Sequence, residues 1–297
     1  MKKITGLFIA VLMIAALLAG CGNERPPAGD TGSTSPTTTA PPPAELSGIV
    51  KTGGSTSVEK VMTALIFQFE EDNGKVTVEY EGNGSGDGIK NTISGLYAVG
   101  HSSRELKTDG SEDGLTAIPY AIDGIAVVIN KQNGVENLTK EQIKDIYTGK
   151  ITKWSEVGGA DELITVITRE SGSGTRSAFA EIVGIEKKDD DDTKLVENAN
   201  EADSTGAVQT HVSANANAIG YMSFSDVDDS KVSIVKYEGV EISTGSLKDN
   251  SYKLKREFYL LTKDGETLKP EAQAFIDFVL SGAGQAIVAD KNLLPVK

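Results

Sequence analysis

The clearest periodic stretch of the chain runs from residue 58 to residue 72. Val58, Val61, Met62, Leu65, Ile66 and Phe69 recur at i, i+3, i+4, i+7, i+8 and i+11, the apolar stripe of an amphipathic helix. Thr56, with Glu59 three residues on, predicts a capping box at its start, and Asn73-Gly74 predicts its stop. Weaker helical patterns cover 86–94, 139–148, 176–183, 206–214 and 270–280. Between them, runs rich in Val, Ile and Tyr predict strands at 48–52, 76–80, 125–130, 163–168, 232–237 and 257–261. Strands alternating with helices predict an α/β fold, and the unit from Gly48 onward is long enough for one large domain or two lobes. No repeat of fixed period interrupts it.

The N-terminal 47 residues follow a different pattern. Lys2 and Lys3 precede an apolar run that ends in Leu18-Ala19-Gly20-Cys21. A charged start, a short apolar stretch and a small-residue end read as a secretory signal. The ending resembles the lipobox of bacterial lipoproteins. That resemblance implies cleavage before Cys21, acylation of its sulfur and attachment to the membrane surface; the competing reading is a membrane-spanning helix with a buried thiol. Residues 22–47 hold Pro26, Pro27, Pro36, Pro41, Pro42 and Pro43, with little to bury, and predict a disordered tether.

Composition narrows the chemistry. There are 29 Lys and Arg against 43 Asp and Glu, a net charge of −14, one Cys and two His. Loss of residues 1–20 would remove Lys2 and Lys3 and deepen the charge further. Such acidity argues against a nucleic-acid partner, which favours a basic stripe. A single cysteine excludes an intrachain disulfide framework and a thiolate metal cluster. His101 and His211 leave little material for a zinc site or a Ser-His-Asp relay, so no metal and no cofactor are expected.

Three Gly/Ser/Thr stretches stand out against this background: Gly53 to Ser57, Gly82 to Gly88, and Gly172 to Thr175. Each follows a predicted strand and opens a predicted helix. Glycine lets the backbone pass close to a ligand, and a helix start presents unpaired N–H groups and a partial positive charge. Taken singly, each stretch could be ordinary helix capping. Three together, with Arg169 and Arg176 flanking the third, suit a small tetrahedral oxyanion. None has the spacing of a P-loop or a dinucleotide fold, and neither Ser85 nor Ser173 sits in a nucleophile elbow.

At these residues the chain resembles the phosphate-binding subunit of bacterial phosphate ABC transporters. The segments Gly54-Ser55-Thr56-Ser57, Gly82-Asn83-Gly84-Ser85-Gly86, Gly100 to Leu106, Asp123 to Asn130, 138–154, Thr168 to Arg176, and Ala218-Ile219-Gly220-Tyr221 carry the likeness, in the family's order. The resemblance implies a two-lobed periplasmic-binding-protein fold of type II, with two crossover strands and a cleft between the lobes. The first lobe would comprise 48–122 with 257–297, and the second 123–256. It also implies a monomeric, non-enzymatic protein that captures inorganic phosphate outside the cytoplasm and passes it to a membrane permease.

Carried over by position, the phosphate ligands would be Thr56, Ser57, Ser85, Arg169, Ser173, Gly174 and Thr175. Better-known members place an aspartate where Ser103 stands, and an arginine-holding acid where Ser171 stands. Hydrogen phosphate needs an acceptor that sulfate does not, so a carboxylate is sought elsewhere. Asp123 is the expected acceptor, unless it is only the turn residue of Asp-Gly, with Asp87 second. Ser103 and Arg104 complete the candidate set; Arg104 either covers the anion or pairs with a carboxylate at the rim. His101, Trp154 and the Asp189–Asp192 run are expected to be structural, packing and solvated respectively. Competing functions are the same scaffold tuned to sulfate, molybdate or a phosphonate, or a secreted phosphatase.

Overall fold

The computed structural model describes residues 45–187 and 189–296. The expected signal segment, Cys21 and nearly all of the tether lie outside the described residues. The last tether residues are not free: Leu46 packs against an apolar core.

In chain order the elements are β1 (Gly48–Gly54), α1 (Glu59–Asp72), β2 (Val76–Gly82), α2 (Ser85–Ile93), β3 (Val99–Ser102) and β4 (Leu115–Asn130). Then come β5 (Asn137–Leu138), α3 (Lys140–Tyr147), β6 (Thr165–Arg169), α4 (Gly174–Val183), β7 (Asn200–Ala202), α5 (Thr205–Ala214) and β8 (Ala218–Ser223). β9 (Val232–Tyr237), α6 (Thr244–Lys248), β10 (Lys255–Lys263), α7 (Pro270–Val279), α8 (Gly282–Asp290) and β11 (Leu294–Pro295) complete the chain. The strands pair in the order β2-β1-β3-β10-β4-β8-β6-β7, with β9 and β11 also on β4.

Apolar side chains gather in two principal cores. One draws on 50–121 and 258–293, the other on 125–254. In the first, Val61, Met62, Leu65 and Phe69 of α1 are buried as the stripe requires, and Phe69 meets the Phe275 ring edge-on at 5.2 Å. The fold is therefore a two-lobed α/β architecture; β4 runs from one core into the other, and β10, paired along it, starts just after Leu254 of the second core and enters the first.

The crossover strand β4 is 16 residues long and begins ten residues before the predicted strand. Its first half lacks an apolar run, and Pro119 argues against a central strand. The structure accommodates Pro119 with a bulge: Ala121 pairs with Phe258 and Pro119 with Tyr259, leaving Tyr120 as the extra residue. The predicted capping box also fails. A short 3₁₀ turn, Thr56–Val58, precedes α1 and is capped by Ser55, while Val58 at the α1 start offers no side-chain cap. The Thr56 hydroxyl is thereby released for another role.

Parallel strands β1, β2, β6 and β7 each end at the start of a helix or 3₁₀ turn. Loops at the carboxyl ends of parallel strands are the common place for a ligand in open α/β sheets. Here they come from both sides of the crossover.

Candidate functional site

Four such starts converge: the Ser55–Ser57 turn, α2 at Ser85, α4 at Gly174 and α5 at Thr205. Thr56, Ser57, Ser85, Ser103, Ser173, Thr175 and Thr205 are all buried, although none is apolar. Buried hydroxyls need partners, and most of these find them across the seam between the two cores. Ser57 Oγ lies 2.7 Å from Thr175 Oγ1 and 3.0 Å from Thr205 Oγ1. Thr56 Oγ1 accepts the Thr205 N–H at 3.3 Å. The Gly86 N–H donates to the Gly172 carbonyl at 3.0 Å.

The first wall is built from three loops. Ser55 Oγ donates to Ser103 Oγ at 2.8 Å, and Ser85 Oγ accepts the Ser103 N–H at 3.1 Å. Two glycines permit this packing. A Cβ on Gly54, whose φ is +137°, would lie 2.2 Å from the His101 carbonyl oxygen. A Cβ on Gly174 would lie 2.3 Å from Ser85 Oγ and 2.6 Å from Ser103 Oγ. The α4 start therefore closes directly onto the serines of the other wall.

Arg169, at the end of β6, is the main cation of the second wall and is 1% exposed. Its Nε and Nη2 donate to the two Glu170 oxygens, each at 2.8 Å. The remaining donors reach Thr56 Oγ1 at 3.0 Å and Thr205 Oγ1 at 3.2 Å. A buried guanidinium left unpaired would be costly, so the Glu170 fork is what allows it to stay there. Glu170 thus supplies the arginine-holding acid sought at position 171, and Ser171 itself is exposed.

The candidate residues divide accordingly. Thr56, Ser57, Ser85, Ser103, Arg169, Gly174 and Thr175 come together. Ser173 stands at the same place, but its Oγ accepts the Arg176 N–H and caps α4, the ordinary role weighed for such a serine.

Arg104 takes the second of its two readings, pairing with a carboxylate, and so corrects its place in the candidate set. Its guanidinium forks onto both Glu112 oxygens at 2.8 and 2.6 Å and donates to the Glu105 carbonyl, so it braces its own loop rather than the anion. Asp123 is a second correction. It is completely buried, its Oδ2 takes two donors from Arg256 and its Oδ1 takes the Ser223 hydroxyl, so it does not serve as a free acceptor. Asp87 is exposed in the first turn of α2.

Two participants were missed. Thr205 belongs to Ser204-Thr205-Gly206, a fourth Gly/Ser/Thr stretch after a strand, and the loop signal used for the other three would have found it. Arg256 is the second residue of β10, beside no glycine, and nothing local marks it. Its Nη1 reaches Ser103 Oγ at 3.3 Å.

Near the Arg256 guanidinium, the buried Asp123 and the half-buried Asp226 form an acidic pair. Burial pushes the Asp123 pKa up to about 6 against the pull of Arg256. Burial, and next the Asp123 charge, push Asp226 up to about 8 against the opposing pull of Lys60. Asp226 Oδ2 has no hydrogen-bond partner. Lys60 Nζ, from the first core's α1, donates across the seam to the Ser225 carbonyl at 2.6 Å. A cavity of about 310 Å³ opens beside Thr56 and Thr205, lined also by Lys60, Gln209 and Asp226. A larger one, about 580 Å³, is bounded by Val135, Phe224, Ile234 and Ile242 and shares no residue with the site.

The arrangement is a buried, donor-rich cage: helix starts, hydroxyls and guanidiniums in a medium that screens poorly. It suits a small oxyanion. Of the two histidines, His101 is buried with Nε2 2.5 Å from Thr52 Oγ1, and burial drives its pKa down to about 3. His211 is exposed on α5.

Comparison with known proteins agrees with this geometry. A PBP superfamily domain matches residues 31–283. The phosphate-binding protein PstS of Bacillus subtilis is 30% identical over 293 residues, which is 98% of this chain and 92% of that protein. A phosphate ABC transporter substrate-binding protein from Clostridium perfringens, solved with bound phosphate, is 46% identical with a TM-score of 0.79, covering 84% of this chain and all of its own. An ABC-type phosphate transport receptor from Vibrio cholerae is 31% identical with a TM-score of 0.68, over 82% of this chain and 99% of that one.

Proposed function

This chain belongs to the PBP superfamily, among the phosphate-binding proteins of phosphate ABC transporters, and from that premise we propose that it captures inorganic phosphate outside the cytoplasm for a cognate permease. The observation that carries this reading is the meeting of four helix starts and Arg169 at one buried, hydroxyl-lined seam. The lobes are taken as 48–122 with 257–297, and 123–256, hinged at β4 and β10.

In the closed arrangement the two walls satisfy one another, hydroxyl to hydroxyl. For phosphate to enter, the lobes part and those bonds are exchanged for bonds to the anion's oxygens. The phosphate then bridges Thr56, Ser57, Ser85 and Ser103 of the first lobe with Arg169, Gly174, Thr175 and Thr205 of the second. Closure around a ligand of this kind is a hinge motion.

Phosphate near neutral pH keeps a proton, and that proton needs an acceptor. With Asp123 engaged by Arg256, the hydroxyls of Ser57, Thr175 and Thr205 fill the role, because their mutual hydrogen bonds can run in either direction. Phosphate is bound and released unchanged, without catalysis: neither histidine is placed to activate a loop serine. The protein acts as a monomer held to the membrane through acylated Cys21, a reading supported by the Leu18-Ala19-Gly20-Cys21 sequence.

Calorimetric titration of the purified protein with phosphate, arsenate and sulfate tests the proposal. One-site binding of phosphate is expected, with arsenate competing and sulfate weaker only modestly, because hydroxyl acceptors can also turn to donate. Absence of phosphate binding, or turnover of a phosphate ester, would overturn it.

A further inference from the structure

Arg256 faces the first wall from β10, and its position answers a question the hydroxyls leave open: which of them must donate. We propose that Arg256, anchored by Asp123, positions the Ser103 hydroxyl as an obligatory hydrogen-bond donor to the bound anion. The inference rests on the phosphate reading above and assigns a polarity within that site.

Serine offers one O–H donor and two acceptor positions. Ser103 Oγ accepts from Ser55 Oγ at 2.8 Å and from Arg256 Nη1 at 3.3 Å, so both acceptor positions are taken. Its own proton must point elsewhere. Ser85 Oγ lies 3.3 Å away, and the Gly174 backbone closes on the same spot from the other wall. An anion seated at the α4 start therefore meets Ser103 as a donor.

The guanidinium makes this polarity permanent. Arginine has no acceptor and stays charged, so it cannot exchange roles with Ser103 as another hydroxyl could. It is held rigidly as well. Nε and Nη2 donate to Asp123 Oδ2 at 3.2 and 3.0 Å, and the guanidinium lies over the Phe258 ring at 5.2 Å. Asp123 and Arg256 are cross-strand neighbours on β4 and β10, the two crossings between lobes. Ser223, on β8, holds the other Asp123 oxygen at 2.9 Å. The device thus sits at the hinge between the lobes.

One consequence separates this chain from a site with aspartate at position 103. That aspartate would accept the phosphate proton, whereas Ser103 under Arg256 cannot. The protonated oxygen of phosphate is therefore directed to the opposite group, Ser57, Thr175 and Thr205.

A double-mutant cycle on the purified protein tests the inference, using Arg256→Lys, Ser103→Ala and the double variant with phosphate as titrant. Lysine keeps the charge but lacks the fork needed to hold Asp123 and Ser103 together. Each single change is expected to weaken phosphate binding by about tenfold, and the double variant to be no more than about twofold weaker than either. Multiplying losses, near a hundredfold in the double variant, would show that Arg256 does not act through Ser103, as would wild-type affinity in Arg256→Lys. Melting of each variant without phosphate reports folding. If Arg256→Lys does not fold, Asp123→Asn takes its place in the cycle with the same expectation. Absence of phosphate binding in the wild-type protein would reject the phosphate reading itself, a result distinct from a cycle without coupling.

Discussion

The two walls of the cleft solve the same problem with different sequence logic. On the second wall, Arg169 is held by Glu170, the next residue, and α4 begins five residues after the arginine. Cation, counter-ion and helix start come from one turn. On the first wall, Ser55, Ser85 and Ser103 come from three loops, and their guanidinium is brought from Arg256, 153 residues beyond Ser103. Each arginine carries one carboxylate, so the four ionic groups sum to no net charge. The anion is therefore held by oriented, dehydrated donors rather than by excess positive charge, which reconciles an anion site with a chain of −14. The comparison teaches that a locally built wall can carry the charge, while a wall assembled at long range carries the geometry.

Breaking the second wall should cost most. Arg169→Met leaves Glu170 without its partner and removes the main cation; phosphate affinity should fall by roughly a hundredfold or more, read by calorimetry. A fall of less than tenfold would show that the hydroxyls alone suffice. The next effect falls where the walls meet. Gly174→Ala places a methyl 2.3 Å from Ser85 Oγ, so closure is blocked while each lobe stays intact. Affinity should drop about tenfold and the phosphate-induced rise in melting temperature should shrink. An unchanged rise would mean that the walls do not close this tightly.

The acidic pair near Arg256 gives a pH signature. Asp226 moves from 3.8 to about 8 on folding, so the folded chain holds this proton more tightly than the unfolded chain. Its stabilising contribution is complete below pH 3.8 and is lost as pH rises toward about 8. Asp123, Lys60, Arg256 and Glu59 are the charged groups that act on it. Asp226→Asn should therefore melt about 4 °C above wild type at pH 8, with the gap closing toward pH 5. Parallel melting curves across that range would remove Asp226 as the cause.

The smallest effect is expected at Arg104. Its guanidinium is engaged by Glu112 and the Glu105 carbonyl rather than by the cage, so Arg104→Ala should change phosphate affinity by no more than about twofold, its cost falling on folding stability instead. A tenfold loss would restore it to the site.

These walls also differ in how far the sequence discloses them. The α1 stripe, the β9 limits and, to within two residues, the starts of α2, α4 and α5 are legible because periodicity and glycine punctuation are local signals. On the second wall Arg169 and the α4 start are legible for the same reason, whereas the roles of Glu170 and Thr205 emerge only from the structure. The first half of β4 was hidden by Pro119, whose accommodation depends on a bulge opposite Tyr259. Thr56 was read as a cap because spacing cannot reveal that Ser55 caps instead and frees Thr56 for Arg169. Asp123 reads as an acceptor in the sequence because its partner Arg256 is 133 residues away. An arginine inside a strand gives no sign of which buried acid it will meet.

The central claim is that phosphate is recognised locally, inside a closed and dehydrated cleft, despite the acidity of the chain. Calorimetric phosphate titrations at about 50 and 500 mM NaCl test it most directly, because long-range attraction is screened over that range and buried contacts are not. One-site binding whose affinity shifts by less than about threefold is the predicted result. Affinity that falls steeply with salt, or no binding at either salt concentration, would contradict it.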